Sequence, residues 1–190
     1  MTQTGTATPF SGKGLDWYLD RLIRDVADFP KPGVGFKDIT PLLADHAGFS
    51  AVVAALARAG RDDVGTVTVD KVVGMEARGF ILGAPVALAL GVGFVPVRKS
   101  GKLPRDTHTV RYSLEYGEAS LDIHRDGIAP TERVLLVDDV LATGGTAAAT
   151  VRLVELCGGV VSGVAVLLEL SFLAGREAVG NLCLTALRTV

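Results

Sequence analysis

The segment Val134-Leu135-Leu136-Val137-Asp138-Asp139-Val140-Leu141-Ala142-Thr143-Gly144-Gly145-Thr146 constrains this chain more than any other. Its four consecutive apolar residues predict a strand covered on both faces, as in a parallel sheet between helices. Two adjacent carboxylates follow at the C-terminal end, the edge where open α/β sheets bind ligands. Thr143, Gly144, Gly145 and Thr146 then lead into a helix predicted over 146–156. Glycines let backbone amides approach an oxygen-rich ligand, the helix N-terminus adds partial positive charge, and the threonines add hydroxyls. Thr146 can equally cap the helix, and capping and phosphate binding use the same amides. A phosphate cradle beside carboxylates that accept from sugar hydroxyls suits a ribose 5-phosphate. No lysine follows the glycines and no GxGxxG is present, which excludes the nucleoside-triphosphate and dinucleotide loops.

The rest of the chain alternates in the same way. Leu15, Tyr18, Leu19, Leu22, Ile23 and Val26 recur at helical spacing and predict one amphipathic helix. Residues 29–36 are too rich in proline and glycine for regular structure and form a loop. Phe49, Val52, Val53, Leu56 and Ala57 mark a second helix, and 71–74 a short strand. The uncharged run 79–97 is long enough to span a membrane, but Pro85, Pro96 and its glycines divide it. A helix over 80–90, a turn at 91–93 and a strand through Val97 are predicted instead. Residues 98–111 are polar and basic and predict a loop, with a strand or hairpin around Leu121 and Ile123 after it. Buried strands over 133–137 and 160–168 complete an α/β fold, a central parallel sheet flanked by helices. Residues 1–14 read as a loose tail and 15–190 as a single domain.

Composition removes other classes of function. With 48% apolar residues, 21% charged residues and a net charge of −2, the chain is globular and has no broad cationic surface. Nucleic acid and membrane are therefore not expected partners, and an anionic ligand must be held locally. Cys157 and Cys183 lie in apolar runs and read as reduced core thiols, which fits a cytoplasmic protein. The three histidines share no ligand spacing, so no structural zinc is expected. The N-terminus has no basic region followed by an apolar core and does not read as a signal peptide.

The segment 134–146 resembles the phosphoribosyl pyrophosphate signature of the type I phosphoribosyltransferases, and Ala142-Thr143-Gly144-Gly145-Thr146 is the form typical of those acting on adenine. The resemblance runs from about Ile23 to Arg176. Asp28-Phe29-Pro30-Lys31-Pro32-Gly33 through Phe36-Lys37-Asp38-Ile39-Thr40-Pro41 is similar to the family's base-binding segment, a small N-terminal hood. Glu76-Ala77-Arg78-Gly79-Phe80 is similar to its pyrophosphate loop. Arg98-Lys99-Ser100-Gly101-Lys102-Leu103-Pro104 and Ser113-Leu114-Glu115-Tyr116-Gly117 are similar to the two ends of its mobile catalytic loop. Ser100 departs from the family, which usually has proline or a basic residue there.

The resemblance implies transfer of a phosphoribosyl group to adenine, giving AMP and pyrophosphate. It implies that Asp138 and Asp139 hold the ribose and that 142–146 hold its 5′-phosphate. Glu76, Ala77, Arg78, Gly79 and Lys99 would bind pyrophosphate, with a cis peptide expected at Ala77–Arg78. Arg98, Lys102 and Glu115 would be catalytic, Glu115 by managing the purine's proton. Phe36 would stack on the base while Gly35 and Lys37 read it through their backbone. Mg²⁺ is the implied cofactor, held mainly by substrate and water, with Asp138 and Asp139 acting on it indirectly and no direct protein ligand. A homodimer is implied, with Arg98 reaching the neighbouring site. The alternatives are an enzyme for another base and a non-enzymatic regulator that senses phosphoribosyl pyrophosphate.

Overall fold

A computed structural model describes residues 13–113 and 118–190. The chain divides into two compact units, Met1–Val52 and Val53–Val190. In the first, α1 (Leu15–Leu22) is followed by β1 (Arg24–Val26), β2 (Phe36–Asp38) and α2 (Thr40–Ala44); α3 (His46–Ala57) runs across the boundary. The helix expected to reach Val26 stops four residues earlier. Ile23 turns extended, and Arg24–Val26 pairs antiparallel with Phe36–Asp38. Cross-strand pairing thus overrides a helical spacing that continues through Ile23 and Val26.

The second unit holds β3 (Lys71–Met75), α4 (Arg78–Leu90), β4 (Gly93–Lys99), β5 (Thr107–Ser113) and β6 (Glu118–His124). β7 (Arg133–Leu141), α5 (Gly145–Leu156), β8 (Val160–Glu169), α6 (Gly175–Ala178) and β9 (Leu184–Thr189) follow. Seven strands form one mixed sheet in the order β5-β6-β4-β3-β7-β8-β9. The five strands from β4 to β9 are parallel, and the hairpin β5–β6 adds antiparallel to β4. The basic stretch is therefore not one long loop. Arg98 and Lys99 end β4, residues 107–111 belong to β5, and only 100–106 connect them. Alternating Thr107, Thr109 and Arg111 with Val110 and Tyr112 suits an edge hairpin better than a free lid.

Strand β7 lies at the middle of the five parallel strands, and Val134, Leu135, Leu136 and Val137 are fully buried. Val134 and Leu136 join Val73, Val97 and Val166 in a core cluster with Leu153 and Val154 of α5. Helix α4 stands close to β3 through glycines. A Cβ on Gly74 would meet the Phe94 ring at 2.7 Å and the Gly79 carbonyl at 2.8 Å. Pro85 lies inside α4 without ending it; the helix stops at Gly91, whose φ of 72° is left-handed and whose amide returns to Ala87 and Leu88 carbonyls. Cys157 is buried as expected, whereas Cys183 is exposed, because it precedes the edge strand β9. No helix among the described residues is long and apolar enough to cross a membrane.

Because Gly74 faces a backbone carbonyl as well as a ring, Gly74→Ala should overpack the β3–α4 contact. A loss of about 1–3 kcal/mol is expected, to be read as a lower urea midpoint with an unchanged slope.

Candidate active site

The site assembles at the C-terminal ends of β3, β4 and β7 in the second unit. Asp138 and Asp139 are successive residues of β7, and their carboxyls lie close enough to interact directly. The Asp139 amide donates to Asp138 Oδ1 at 2.9 Å. Burial pushes the Asp138 carboxyl well above the usual range, and the neighbouring Asp139 charge pushes it further. Burial also raises Asp139, with the positive charge of Arg78 opposing the rise. Arg78 Nε lies 2.6 Å from Asp139 Oδ2, but the geometry leaves that oxygen without a hydrogen bond. A buried carboxylate oxygen in that condition is suited to a donor brought by a ligand.

Arg78 opens α4 directly after the turn that leaves β3. A cis non-proline peptide is present in this turn, at Glu76–Ala77 and not at Ala77–Arg78 as expected. The Ala77 carbonyl accepts from the Phe80 amide at 3.2 Å, and this bond sets the entry to the helix. Gly79 lies against β7: a Cβ there would come within 2.8 Å of the Val137 carbonyl and 2.9 Å of Asp138 Oδ1. The expected pyrophosphate loop and the carboxylate pair are thus direct neighbours.

Glu76 gathers the basic residues. Its buried carboxylate accepts from Lys102 Nζ at 2.6 Å and from the Lys99 amide at 2.8 Å, and it faces Arg98 Nε at 3.5 Å. Burial alone would raise its pKa, but the bonds from Lys102 and Lys99 and the charges of Lys102 and Arg98 outweigh it and hold the carboxyl below its ordinary value. Lys99 contributes its backbone to this cluster while its side chain is exposed. Ser100, the departure from the family pattern, donates to buried Asp122 at 3.0 Å; Asp122 also accepts from the Gly101 amide at 2.8 Å and from Thr109 at 2.7 Å. That carboxylate anchors the turn below Lys102.

The glycine loop bounds a cavity of about 90 Å³ lined by residues 140–147 together with Met75, Tyr112, Asp138 and Val166. Gly144 has a left-handed φ of 80°, and a Cβ there would lie 2.4 Å from the Gly175 carbonyl. Gly175 fits as closely, with its own Cβ position 2.1 Å from the Ala142 carbonyl. Neither Gly175 nor Tyr112 is marked by any local motif. Their part in the site comes from packing between distant segments, which spacing along the chain does not encode.

Gly35, Phe36 and Lys37 lie in the first unit, at and before the start of β2. Phe36 packs edge-on against Phe29 with ring centroids 5.0 Å apart, and Lys37 pairs with Asp25. Glu115 lies outside the described residues.

Glu76 supplies a pH test. Its depressed carboxyl contributes stability above the ordinary value of 4.5, and this is lost as pH falls through the lower folded value. The stability gap between wild type and Glu76→Gln should therefore be widest near neutrality and close below that value; a gap that does not change with pH would rule out the ion cluster as its source. For the loop, Gly144→Ala should abolish ribose 5-phosphate binding in calorimetry, since both the left-handed backbone and the contact with Gly175 oppose a side chain.

The family model described as phosphoribosyl transferase domain matches residues 42–178. An adenine phosphoribosyltransferase from a Nocardioides species is 65% identical over 100% of both chains. The crystal structure of the Thermoanaerobacter pseudethanolicus adenine phosphoribosyltransferase is 47% identical with a TM-score of 0.86, covering 93% of this chain and 99% of that one. The Saccharomyces cerevisiae enzyme, complexed with an imino-altritol bisphosphate and adenine, is 36% identical with a TM-score of 0.85, covering 91% of this chain and 99% of that one. By the match over residues 42–178 and by these relatives, the chain belongs to the phosphoribosyltransferase family, among the adenine phosphoribosyltransferases.

Proposed function

We propose that this chain transfers the phosphoribosyl group of phosphoribosyl pyrophosphate to adenine, releasing AMP and pyrophosphate in purine salvage. The observation that carries this reading is the meeting, in one unit, of the carboxylate pair, the phosphate loop, and Arg78, Arg98 and Lys102. Adenine as the base is supported by the relatives' names and by the adenine complex of the yeast enzyme.

In this reading the amides and hydroxyls of 142–146 take the 5′-phosphate. Ribose hydroxyls donate to Asp138 and Asp139, supplying the hydrogen bonds that favour the charged carboxylates against their burial. Arg78, the backbone of Ala77 and Gly79, and Lys99 hold the pyrophosphate. Arg98 and Lys102 leave Glu76 for the departing diphosphate, whose larger charge attracts them more strongly. Phe36 stacks on the base, and the backbone of Gly35 and Lys37 reads its edge. The purine ring nitrogen forms a bond to the anomeric carbon as the bond to pyrophosphate oxygen breaks, and Glu115 takes the base's proton. Positioning and neutralisation of the leaving group carry the rate, and closure over the site keeps water from the activated sugar.

Magnesium fits as an ion that arrives with the substrate. No three His, Cys, Asp or Glu side chains cluster among the described residues, and Asp139 already faces Arg78. Phosphate oxygens and water would hold the ion, with Asp138 and Asp139 acting on it indirectly. The ion would supply positive charge to the leaving diphosphate. The working unit is a cytoplasmic homodimer in which Arg98 reaches the neighbouring site. Residues 15–190 act as one catalytic domain behind a short tail.

The test is nucleotide formation with phosphoribosyl pyrophosphate and Mg²⁺, offering adenine, hypoxanthine, guanine, xanthine and orotate separately. AMP from adenine alone is expected, slowed about 10²–10⁴-fold by Glu115→Ala. Turnover of another base would replace the substrate, and no turnover with any base would sink the enzymatic reading.

A further inference from the structure

We infer that Tyr112 is a positioning residue for the phosphate site, acting through Thr146; the inference rests on the phosphate reading of residues 142–146. Tyr112 comes from β5, far in sequence from the glycine loop, yet it lines the same cavity. Its hydroxyl lies 3.2 Å from Thr146 Oγ1, at the long end for two hydroxyls. Thr146 occupies the first turn of α5 and lines that cavity, where a helix N-terminus favours an anion.

The chemistry follows from counting protons. A threonine hydroxyl has one proton and two lone pairs, and a phosphate oxygen only accepts. Left alone, the Thr146 proton can rotate toward any nearby acceptor. When the Tyr112 hydroxyl donates to Thr146 Oγ1, it occupies a lone pair and leaves the threonine proton for the ligand. The phosphate then receives an oriented donor, polarised by the hydrogen bond behind it. The same bond ties phosphate occupancy to β5, whose partner in the hairpin is β6 through the register Tyr112↔Ala119. Residues 114–117, including the proposed catalytic Glu115, connect these two strands.

Tyr112→Phe removes the hydroxyl and keeps the ring, so packing is preserved. Calorimetry with ribose 5-phosphate, AMP and pyrophosphate should be run on wild type, Tyr112→Phe, Thr146→Val and the double variant. Tyr112→Phe is expected to weaken ribose 5-phosphate and AMP about three- to tenfold while leaving pyrophosphate within about twofold. In the Thr146→Val background the same substitution should add almost nothing, because the hydroxyl it acts through is gone. Unchanged ribose 5-phosphate binding, equal weakening of pyrophosphate, or additive losses in the double variant would each overturn the inference. A wild type that binds no ribose 5-phosphate would overturn the phosphate reading and this inference together. One that binds it with the expected pattern but makes no nucleotide would remove only the proposed reaction.

Discussion

Two carboxylates side by side on a central strand repel one another in a place where water screens them poorly, and the rest of the site is arranged around that repulsion. Asp138 and Asp139 cannot both carry full charge there at low cost. The fold answers with Arg78, placed 2.6 Å from Asp139 by the start of α4. Holding α4 there requires Gly79, because any side chain would collide with the β7 backbone and with Asp138 itself. The helix, the strand and the ion pair are thus one construction: removing the glycine moves the arginine, and moving the arginine exposes the acid pair to its own repulsion.

The glycine-loop side of the site depends on close approach in the same way. Gly144 and Gly175 meet backbone to backbone, so the loop is supported from behind by a segment about thirty residues further along. Just before that segment, buried Glu169 at the end of β8 accepts two hydrogen bonds from Arg176, at 2.9 and 2.6 Å. The guanidinium bonds hold the Glu169 carboxyl below its usual range although burial opposes this. A charged pair between the end of β8 and α6 therefore stabilises the position from which Gly175 reaches the loop.

Much of this was legible along the chain. The buried strand, the acid pair and the glycine turn fall within thirteen consecutive residues, and local composition alone announces their place at the end of a sheet strand. The helix of α4 and the turn at Gly91 were also readable, since apolar length and glycine placement are local signals. Three features were not. The helical spacing through Ile23 and Val26 hid a strand whose partner lies ten or more residues away. The basic stretch 98–111 looked like a lid because its charges concealed the alternation of β5. Tyr112 and Gly175 act across the fold, and no pattern in their own neighbourhoods connects them to the glycine loop.

Glu76 gives the site a sense of valence. Its single negative charge already bonds to Lys102 and the Lys99 amide and faces Arg98 Nε at 3.5 Å without a hydrogen bond. A monovalent anion entering here would merely exchange places with a carboxylate that is tethered and therefore always at hand. A multiply charged anion offers the same cations a deeper well and can displace the tether. In the proposed reaction the resident glutamate thus keeps the cations ordered until the more highly charged diphosphate takes its place.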